Sequence, residues 1–439
     1  MTKEHSLHGE GPHPPSVKSI CETSPMTSAH LTAHVIAVLS SMLALGWLWQ
    51  AVAALRGVPT LPDLTRAGAA WPDAAESAAP DVTVPDVTVI VPACNEQESI
   101  QDTLRSLLAS TGVRLQIVAV NDRSTDQTGE LMDAVDAEAR AAGLPHTLEV
   151  IHNLARPQGW LGKAHALALA AERASAPWLL FTDGDVTFDP RAIALALGYA
   201  RAERADHVVL ILTMQLTSVG EAAVLAAFQA LAAWNTRLWK VADPKAREFF
   251  GTGGFNLVRR EIYEGLGGFA AMRMEVVEDL RLGWKIKRAG YAQRVVLGPG
   301  LARIRWINGA LSFVGLVEKN GYAGLRYRAG ISLLAFLGFA VQIVLPLAAM
   351  ACCGWAALAG LLTYAFIAVA YAANRPVTQV SPWVAVFFAP ATAILLFAFA
   401  RSMFLTIKRN GVVWRGTHYP LDELRRHAGR GWGDSSLGG

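Results

Sequence analysis

Two aspartates separated by one glycine, Asp183 and Asp185, follow four apolar residues in "WLLFTDGDVTFDP" (178–190). Carboxylates this close repel when both are ionised, and a divalent cation, or a proton kept by one of them, relieves the repulsion. A hard cation such as Mg²⁺ or Mn²⁺ keeps positions open for waters and phosphate oxygens. The pair therefore points to a diphosphate ligand. D-x-D alone is a short pattern that loops produce by chance, and its place at the end of a buried strand is what gives it weight.

Other acids sit at comparable places. "VTVIVPA" (87–93) runs into "CNE", ending at Asn95 and Glu96, and "LQIVAVND" (115–122) ends at Asp122. Asn95, Ser124 and Thr125 also suit helix caps; Asp189, before Pro190, reads as one. Acids at three strand tips are harder to explain as caps. Lys163, in "GWLGKAHAL", suits a point charge for phosphate. "MEVVEDLRLGWKIKRAGY" (274–291) has the spacing of an amphipathic helix, with Val277, Leu280 and Trp284 inward and Arg281, Lys285 and Arg288 in solvent. Glu278 and Asp279 precede its body, where the helix dipole favours acids. Glycines in "FFGTGGFNLVRREIYEGLGGF" (249–269) allow close backbone approach or a simple turn. His165 and His207 read as ordinary polar residues.

The elements that must position these groups alternate. Apolar runs at 87–93, 115–122, 147–153, 177–183 and 206–212 have the length of buried strands, and helical patterns lie at 96–110, 124–143 and 163–175. The alternation predicts an α/β domain with a mostly parallel central sheet flanked by helices, which binds ligands beyond the carboxyl ends of its strands. Of the 439 residues 52% are hydrophobic and only 17% charged, and uncharged stretches at 34–55, 331–350, 355–373 and 383–400 are each of membrane-spanning length. About four transmembrane helices are expected, one before the polar middle and three after it. The expected layout is a disordered 1–30 (Met26 being a second candidate start), an anchor 31–55, a linker 56–85, a catalytic domain 86–304, an interfacial amphipathic region 305–330, transmembrane helices 331–405 and a basic tail 406–439. Cys21, Cys94, Cys352 and Cys353 are too scattered for a metal cage or a disulfide framework, so the soluble part is expected in a reducing compartment. A net charge of +3 leaves no nucleic-acid footprint.

Taken together and in order, "VIVPACNE", "VNDRSTDQT", "GWLGKAHAL", "FTDGDVTF" and "VVEDLRLGWKIKRAG" resemble the family 2 glycosyltransferases of GT-A fold, over roughly residues 86–330. The resemblance implies a nucleotide-sugar donor, a UDP-sugar first, bound by Pro92, Glu96, Asp122, Lys163, Asp183, Gly253 and Gly254. Within that set Glu96 and Asp122 would hold base and ribose, Lys163 would lie near the diphosphate, and the two glycines near the sugar. It implies a metal on Asp185 and Asp183, with Asp183 serving the nucleotide more, and Asp279 as catalytic base with Glu278 as its neighbour. Inversion at the anomeric centre would follow.

Between 302 and 328 the chain is apolar on one face and carries Arg303, Arg305, Lys319, Arg326 and Arg328, which suits a helix at a membrane surface. Processive synthases of the family carry Q-x-x-R-W here; this chain has Arg305 and Trp306 without the glutamine. The layout resembles instead the branch that glycosylates terpenoid lipids, through "RIRW", "EKN" (318–320) and "VVWRGTHY" (412–419). Arg305, Trp306 and Lys319 are expected on the acceptor side, toward a lipid acceptor in the cytoplasmic membrane, with the catalytic domain facing the cytoplasm. A polysaccharide synthase and a non-catalytic nucleotide-binding or transport subunit are the alternatives. Three spans after a cytoplasmic domain would place the tail outside, whereas its basic residues prefer the inside, so one apolar segment, near Pro346 or Pro390, does not fully cross or the count is wrong.

Overall fold

The computed structural model describes residues 28–67 and 84–428. Residues 1–27 of the expected disordered N-terminus, part of the linker and the end of the tail lie outside the described residues, while 28–30 already belong to a helix. In chain order the elements are α1 (Ser28–Gly57), β1 (Val87–Ala93), α2 (Ile100–Leu108), β2 (Leu115–Asp122), α3 (Thr128–Ala142), β3 (Thr147–Asn153), α4 (Gly162–Ala171), β4 (Trp178–Phe181), β5 (Val186–Phe188), α5 (Ala192–Ala202), β6 (His207–Leu210), β7 (Thr213–Met214) and α6 (Val219–Ala232). They continue as β8 (Asn256–Arg259), α7 (Glu278–Arg288), β9 (Gln293–Val296), β10 (Ala302–Ile304), α8 (Ser312–Gly324), α9 (Ala329–Met350), α10 (Trp355–Thr378), α11 (Phe388–Lys408), β11 (Gly411–Trp414), β12 (Thr417–Pro420) and α12 (Leu421–Ala428).

Seven strands form the central sheet in the order β3-β2-β1-β4-β8-β6-β9, and β8 alone runs antiparallel to its neighbours. Every residue of β1 is buried, as expected of a strand covered on both faces. Val87, Val89 and Val91 pack with Leu104, Leu107, Met132 and Ile193 on one face. Ile90, Val118 and Val120 pack on the other with Leu167, Ile262, Leu282 and Ile286. The chain steps outward from β1 through β2 to β3, then returns to place β4 on β1's other side. That reversal opens a crevice at the carboxyl ends of β1 and β4, the place where such sheets bind ligands. Pro92 lies past Ile90, the last β1 residue that pairs with β4, so no β4 bond is sacrificed there.

Four helical stretches, Leu31–Thr60, Ala329–Met350, Trp355–Thr378 and Pro382–Lys408, are long and apolar enough to cross a membrane, matching the expected number. Large side chains such as Leu45, Leu334, Leu337, Leu361 and Phe397 stand exposed along them, an apolar surface of the kind that marks an interaction site. Trp47 Nε1 donates to Gln342 Oε1, while Trp355 Nε1 donates to Ser41 Oγ and Ala54 packs against Ala373. Hence α1 and α10 run the same way and α9 runs against them.

The segment 382–408 is different. Just before it, Gln379 Nε2 donates to Thr213 Oγ1 of the sheet domain. Toward its end, Ser402 Oγ donates to the Glu318 carbonyl and accepts from Tyr322 N–H, and Arg401 and Arg409 both pair with Glu318. The end of α10 and the end of α11 are thereby both fastened on the side of the sheet domain.

Three sequence expectations change. The linker is ordered up to Ala67: Val58, Leu61 and Leu64 are buried, and Leu64 N–H donates to the Leu297 carbonyl. In place of the helix expected over 302–328, α8 spans only Ser312–Gly324. Arg326, expected among headgroups, is buried and gives both carboxylate oxygens of buried Glu275 a bond, at 3.0 and 2.9 Å; a buried carboxylate demands such a partner.

Candidate active site

The loops after β1 and β2 are stitched to each other. Asn95, at φ 57°, accepts from Thr125 N–H through Oδ1 at 2.8 Å. Its own N–H donates to Ser124 Oγ, and Glu96 N–H donates to Thr128 Oγ1. Asn95 therefore joins two loops where a cap on its own helix was expected, and the stitching fixes Glu96 at the mouth of the crevice. Asp122 is buried; Arg123 grips it through Nε and Nη2 at 3.0 and 2.9 Å, and Asn153 Nδ2 donates to it at 2.7 Å.

The D-G-D loop is pinned by the start of α2, since the Gly184 carbonyl accepts from both Ser99 Oγ and Thr103 Oγ1. Asp189 accepts from Arg191 N–H ahead of α5, as a cap would. Asp183 reaches Lys163, whose Nζ lies 2.6 Å from Asp183 Oδ1 and 2.7 Å from Glu278 Oε1. A Cβ on Gly253 would collide with Asp183 Oδ2, so glycine there is what lets the 249–255 segment close on the acids. Gly254 faces the core: a Cβ would strike Leu212, and its carbonyl accepts from Thr182 Oγ1.

Asp279 opens α7, where its Oδ1 accepts from Leu280 N–H at 2.7 Å. The helix is seated backbone to backbone. A Cβ on Gly283 would meet the Phe250 carbonyl, one on Gly251 would meet the Asp279 carbonyl, and Gln293 Nε2 donates to the carbonyls of both Phe250 and Gly283. Arg281, expected in solvent, is buried, with its guanidinium 3.9 Å from the Trp284 ring and Glu275 within 3.9 Å. Leu282 and Ile286 take the inward positions, and Leu280 is half-buried. His165 and His207 engage side-chain amides, His207 between Asn256 and Gln293 at 2.8 Å each.

Electrostatics divides the acids. Burial, then the charges of Asp183 and Glu96, pushes Asp185 up to about 7. Burial, then Glu278, does the same for Asp279. Burial pushes Asp183 up, but the charge and hydrogen bond of Lys163, joined by Lys319 and Arg415, hold it below the usual carboxylate range. Lys163 is likewise raised, since Asp183, Glu278 and Asp279 overcome its own burial. Among the described residues Asp185 Oδ1 is buried without a hydrogen-bond partner, an orphan that a cation would satisfy. No group of three His, Cys, Asp or Glu side chains gathers for a metal among the described residues. A cation here would thus rest on the two aspartates, water and ligand oxygens, the habit of Mg²⁺-type sites.

The C-terminal hairpin, which sequence reasoning placed only on the lipid side, closes the crevice. Its two-residue turn, Arg415 (φ 49°) and Gly416 (φ 73°), points Arg415 Nη2 at Glu96 Oε1, 2.9 Å away. Tyr419 Oη accepts from Gly162 N–H, and the Trp414 ring lies 4.1 Å from Lys319 Nζ. Lys319, expected toward the acceptor, faces the acids: its strongest charged neighbour is Lys163, with Glu278, Arg415 and Asp183 also near. Arg305 is exposed beside Thr217, and Trp306 packs between Phe228 and Phe313. The motif "VVWRGTHY" was the available signal for the hairpin, but nothing in the sequence places residue 415 beside residue 96.

Residues 88–281 match the family model Glycosyl transferase family 2. A 4,4'-diaponeurosporenoate glycosyltransferase of Staphylococcus aureus is 31% identical over 102 residues, 23% of this chain and 24% of that protein; the match thus spans about a quarter of this curated relative. Among solved structures, a mannosyltransferase of Pyrobaculum calidifontis in complex with GDP-Man and Mn²⁺ aligns at 20% identity over 85% of this chain and 98% of its own, with a TM-score of 0.49. TarS 1–349 of S. aureus in complex with UDP aligns at 14% over 75% and 93%, with a TM-score of 0.36. The family-matched stretch runs from β1 into α7 and holds Glu96, Asp122, Lys163, both aspartates of D-G-D, Gly253, Gly254, Glu278 and Asp279 around the central sheet. Residues 88–281 thus form a glycosyl transferase family 2 domain within the chain.

Proposed function

We propose that this glycosyltransferase moves one sugar from a nucleoside-diphosphate donor, a UDP-sugar first, to a hydroxyl of a lipid-phase acceptor, inverting the anomeric centre. The observation that carries this reading is a shared wall. Helix α8 turns Lys319 toward the acids of the crevice while the neighbouring Glu318, with Tyr322, holds the end of apolar helix α11. An acceptor lying in the membrane surface has the shortest path to the crevice along that helix.

Glu96 and Asp122 line the nucleotide end and Gly253 the sugar end. Asp185 and Asp183 would hold the divalent cation, which when bound neutralises negative charge on the diphosphate. Asp279 takes the acceptor's proton: a carboxyl poised near 7 accepts a proton near neutral pH and remains a useful base. Attack from the face opposite the diphosphate gives inversion.

The site side is the cytoplasm. Arg56, Arg328, Arg375, Lys408 and Arg409 border the apolar helices at their catalytic-side ends, whereas the far turn 351–354, "ACCG", carries no charge. Three helices, α1, α9 and α10, cross, and α11 lies along the membrane, which returns the basic tail to the inside. Membranes containing the protein, incubated with labelled nucleotide-sugars and extracted, should yield a lipid carrying one sugar by mass spectrometry. A ladder of lengthening products, or label only in water-soluble material, would overturn the reading.

A further inference from the structure

Lys163 was the residue assigned to the donor's diphosphate, yet its ammonium already serves two carboxylates, at 2.6 and 2.7 Å. Five acids surround the crevice: Glu96, Asp183, Asp185, Glu278 and Asp279. A diphosphate arriving there meets repulsion unless other cations face it. Two do, and both come from outside the family-matched stretch 88–281. Lys319 is half-buried at the crevice with its Nζ over the Trp414 ring, and no carboxylate among the described residues lies in salt-bridge reach of it. Arg415 sits at the tip of the β11–β12 turn, and Glu96 is its one carboxylate partner among the described residues.

The turn itself argues for purpose. A two-residue turn with both φ positive favours Asn, Asp or Gly at its first position; an arginine there accepts local strain, a feature that concentrates at functional sites. The hairpin is held over the crevice independently of Arg415, by Tyr419 on Gly162 N–H and by Arg156 over the Tyr419 ring. Its tip therefore keeps its place if Arg415 changes partner. Resting on the nucleotide-sugar reading above, we propose that Arg415 and Lys319 are the diphosphate-binding cations, Arg415 exchanging Glu96 for a phosphate oxygen when donor binds. When the sugar–oxygen bond breaks, its electron pair stays on the terminal phosphate oxygen, and these two cations face the charge that develops. Burial and the repulsion of Lys163 hold Lys319 down at about 8, a strain that an anion would relieve.

The test uses the purified full chain in detergent with Mn²⁺, titrated by calorimetry with UDP, GDP and ADP, each beside its monophosphate. The wild type should prefer one diphosphate over its monophosphate. Arg415→Ala and Lys319→Ala should each lose at least about tenfold of that preference, the loss expected for a charge-assisted hydrogen bond. Arg415→Lys should fall between, and monophosphate affinity should change little, which also reports that the variants are folded. Diphosphate binding as tight as, or tighter than, wild type in Arg415→Ala would overturn the assignment and make the hairpin an inhibitory plug. If the wild type bound none of the diphosphates, the nucleotide-sugar reading would itself be lost, and the assignment with it.

Discussion

Asp185 and Asp279 are both lifted to about 7 by burial before anything else, and this gives the reaction a pH signature. In the roles proposed above, below that value Asp279 already holds a proton and cannot take the acceptor's, while Asp185 must release one before it can bind a cation. Transfer measured from pH 8 to 5 should hold level and then fall roughly tenfold per unit below about 7, more steeply where both protons matter. A flat profile would remove Asp279 from the chemistry. Asp279→Asn should cost roughly 10²–10⁴-fold in turnover, with nucleotide affinity kept. Linkage works in the opposite sense for stability. A carboxyl with its folded value above its unfolded one favours the fold at low pH and loses that contribution as pH rises toward 7. Asp185→Asn should consequently raise the melting temperature of the metal-free protein at pH 8, by roughly 2–5 °C, and abolish any rise on adding Mn²⁺. At this level the sequence was generous with acids and poor with their partners. D-G-D and the "ED" pair carry their chemistry in adjacent letters, but Lys163 bridges Asp183 and Glu278, 115 residues beyond it, and pairing at that separation leaves no mark in composition or spacing.

Helix α7 owes its position to two glycines and one amide. Gly251 and Gly283 let the 250–251 backbone touch the helix, and Gln293 bonds both sides of the contact. Gly283→Ala sets a methyl group against the Phe250 carbonyl, which cannot rotate away as a side chain would. Overpacking of this kind costs about 1–3 kcal/mol, so a melting temperature lower by roughly 2–10 °C is expected, together with weaker transfer because Asp279 moves with its helix. Full activity and an unchanged melt would mean the contact is loose. Long strands such as 87–93 and 115–122 were legible because each is a continuous apolar run. Strands β5 and β10, of three residues each, and the antiparallel insertion of β8 were not, since their edges are set by partners far along the chain. Arg281 misled the helical pattern because charge ordinarily marks the wet face. Here that face is covered, and Glu275 and Arg326 enclose the guanidinium in a buried ionic group.

At the scale of the chain, apolar length alone announces four membrane helices, yet length does not say which of them crosses. In the topology proposed above, the ties of Gln379 to Thr213 and of Ser402 to Glu318 are what keep α11 from crossing. Cys352 and Cys353 lie in the turn between α9 and α10, and Cys353 is exposed. An impermeant thiol reagent applied to intact cells should label the wild-type protein, and Cys353→Ser should label less. A cysteine introduced by His427→Cys, in a background lacking the native ones, should react only after permeabilisation. Labelling of that site in intact cells would return α11 to a full crossing. The hairpin at 411–420 also sets an order of events. Residues 86–304 leave the ribosome long before it, and a sheet domain folds as its chain emerges, but the wall that carries Arg415 is made only after the membrane helices have been threaded. On the function and topology proposed above, the nascent chain has its acids in place with the crevice still open on one side, and it gains a closed donor site only once its anchorage in the bilayer is complete.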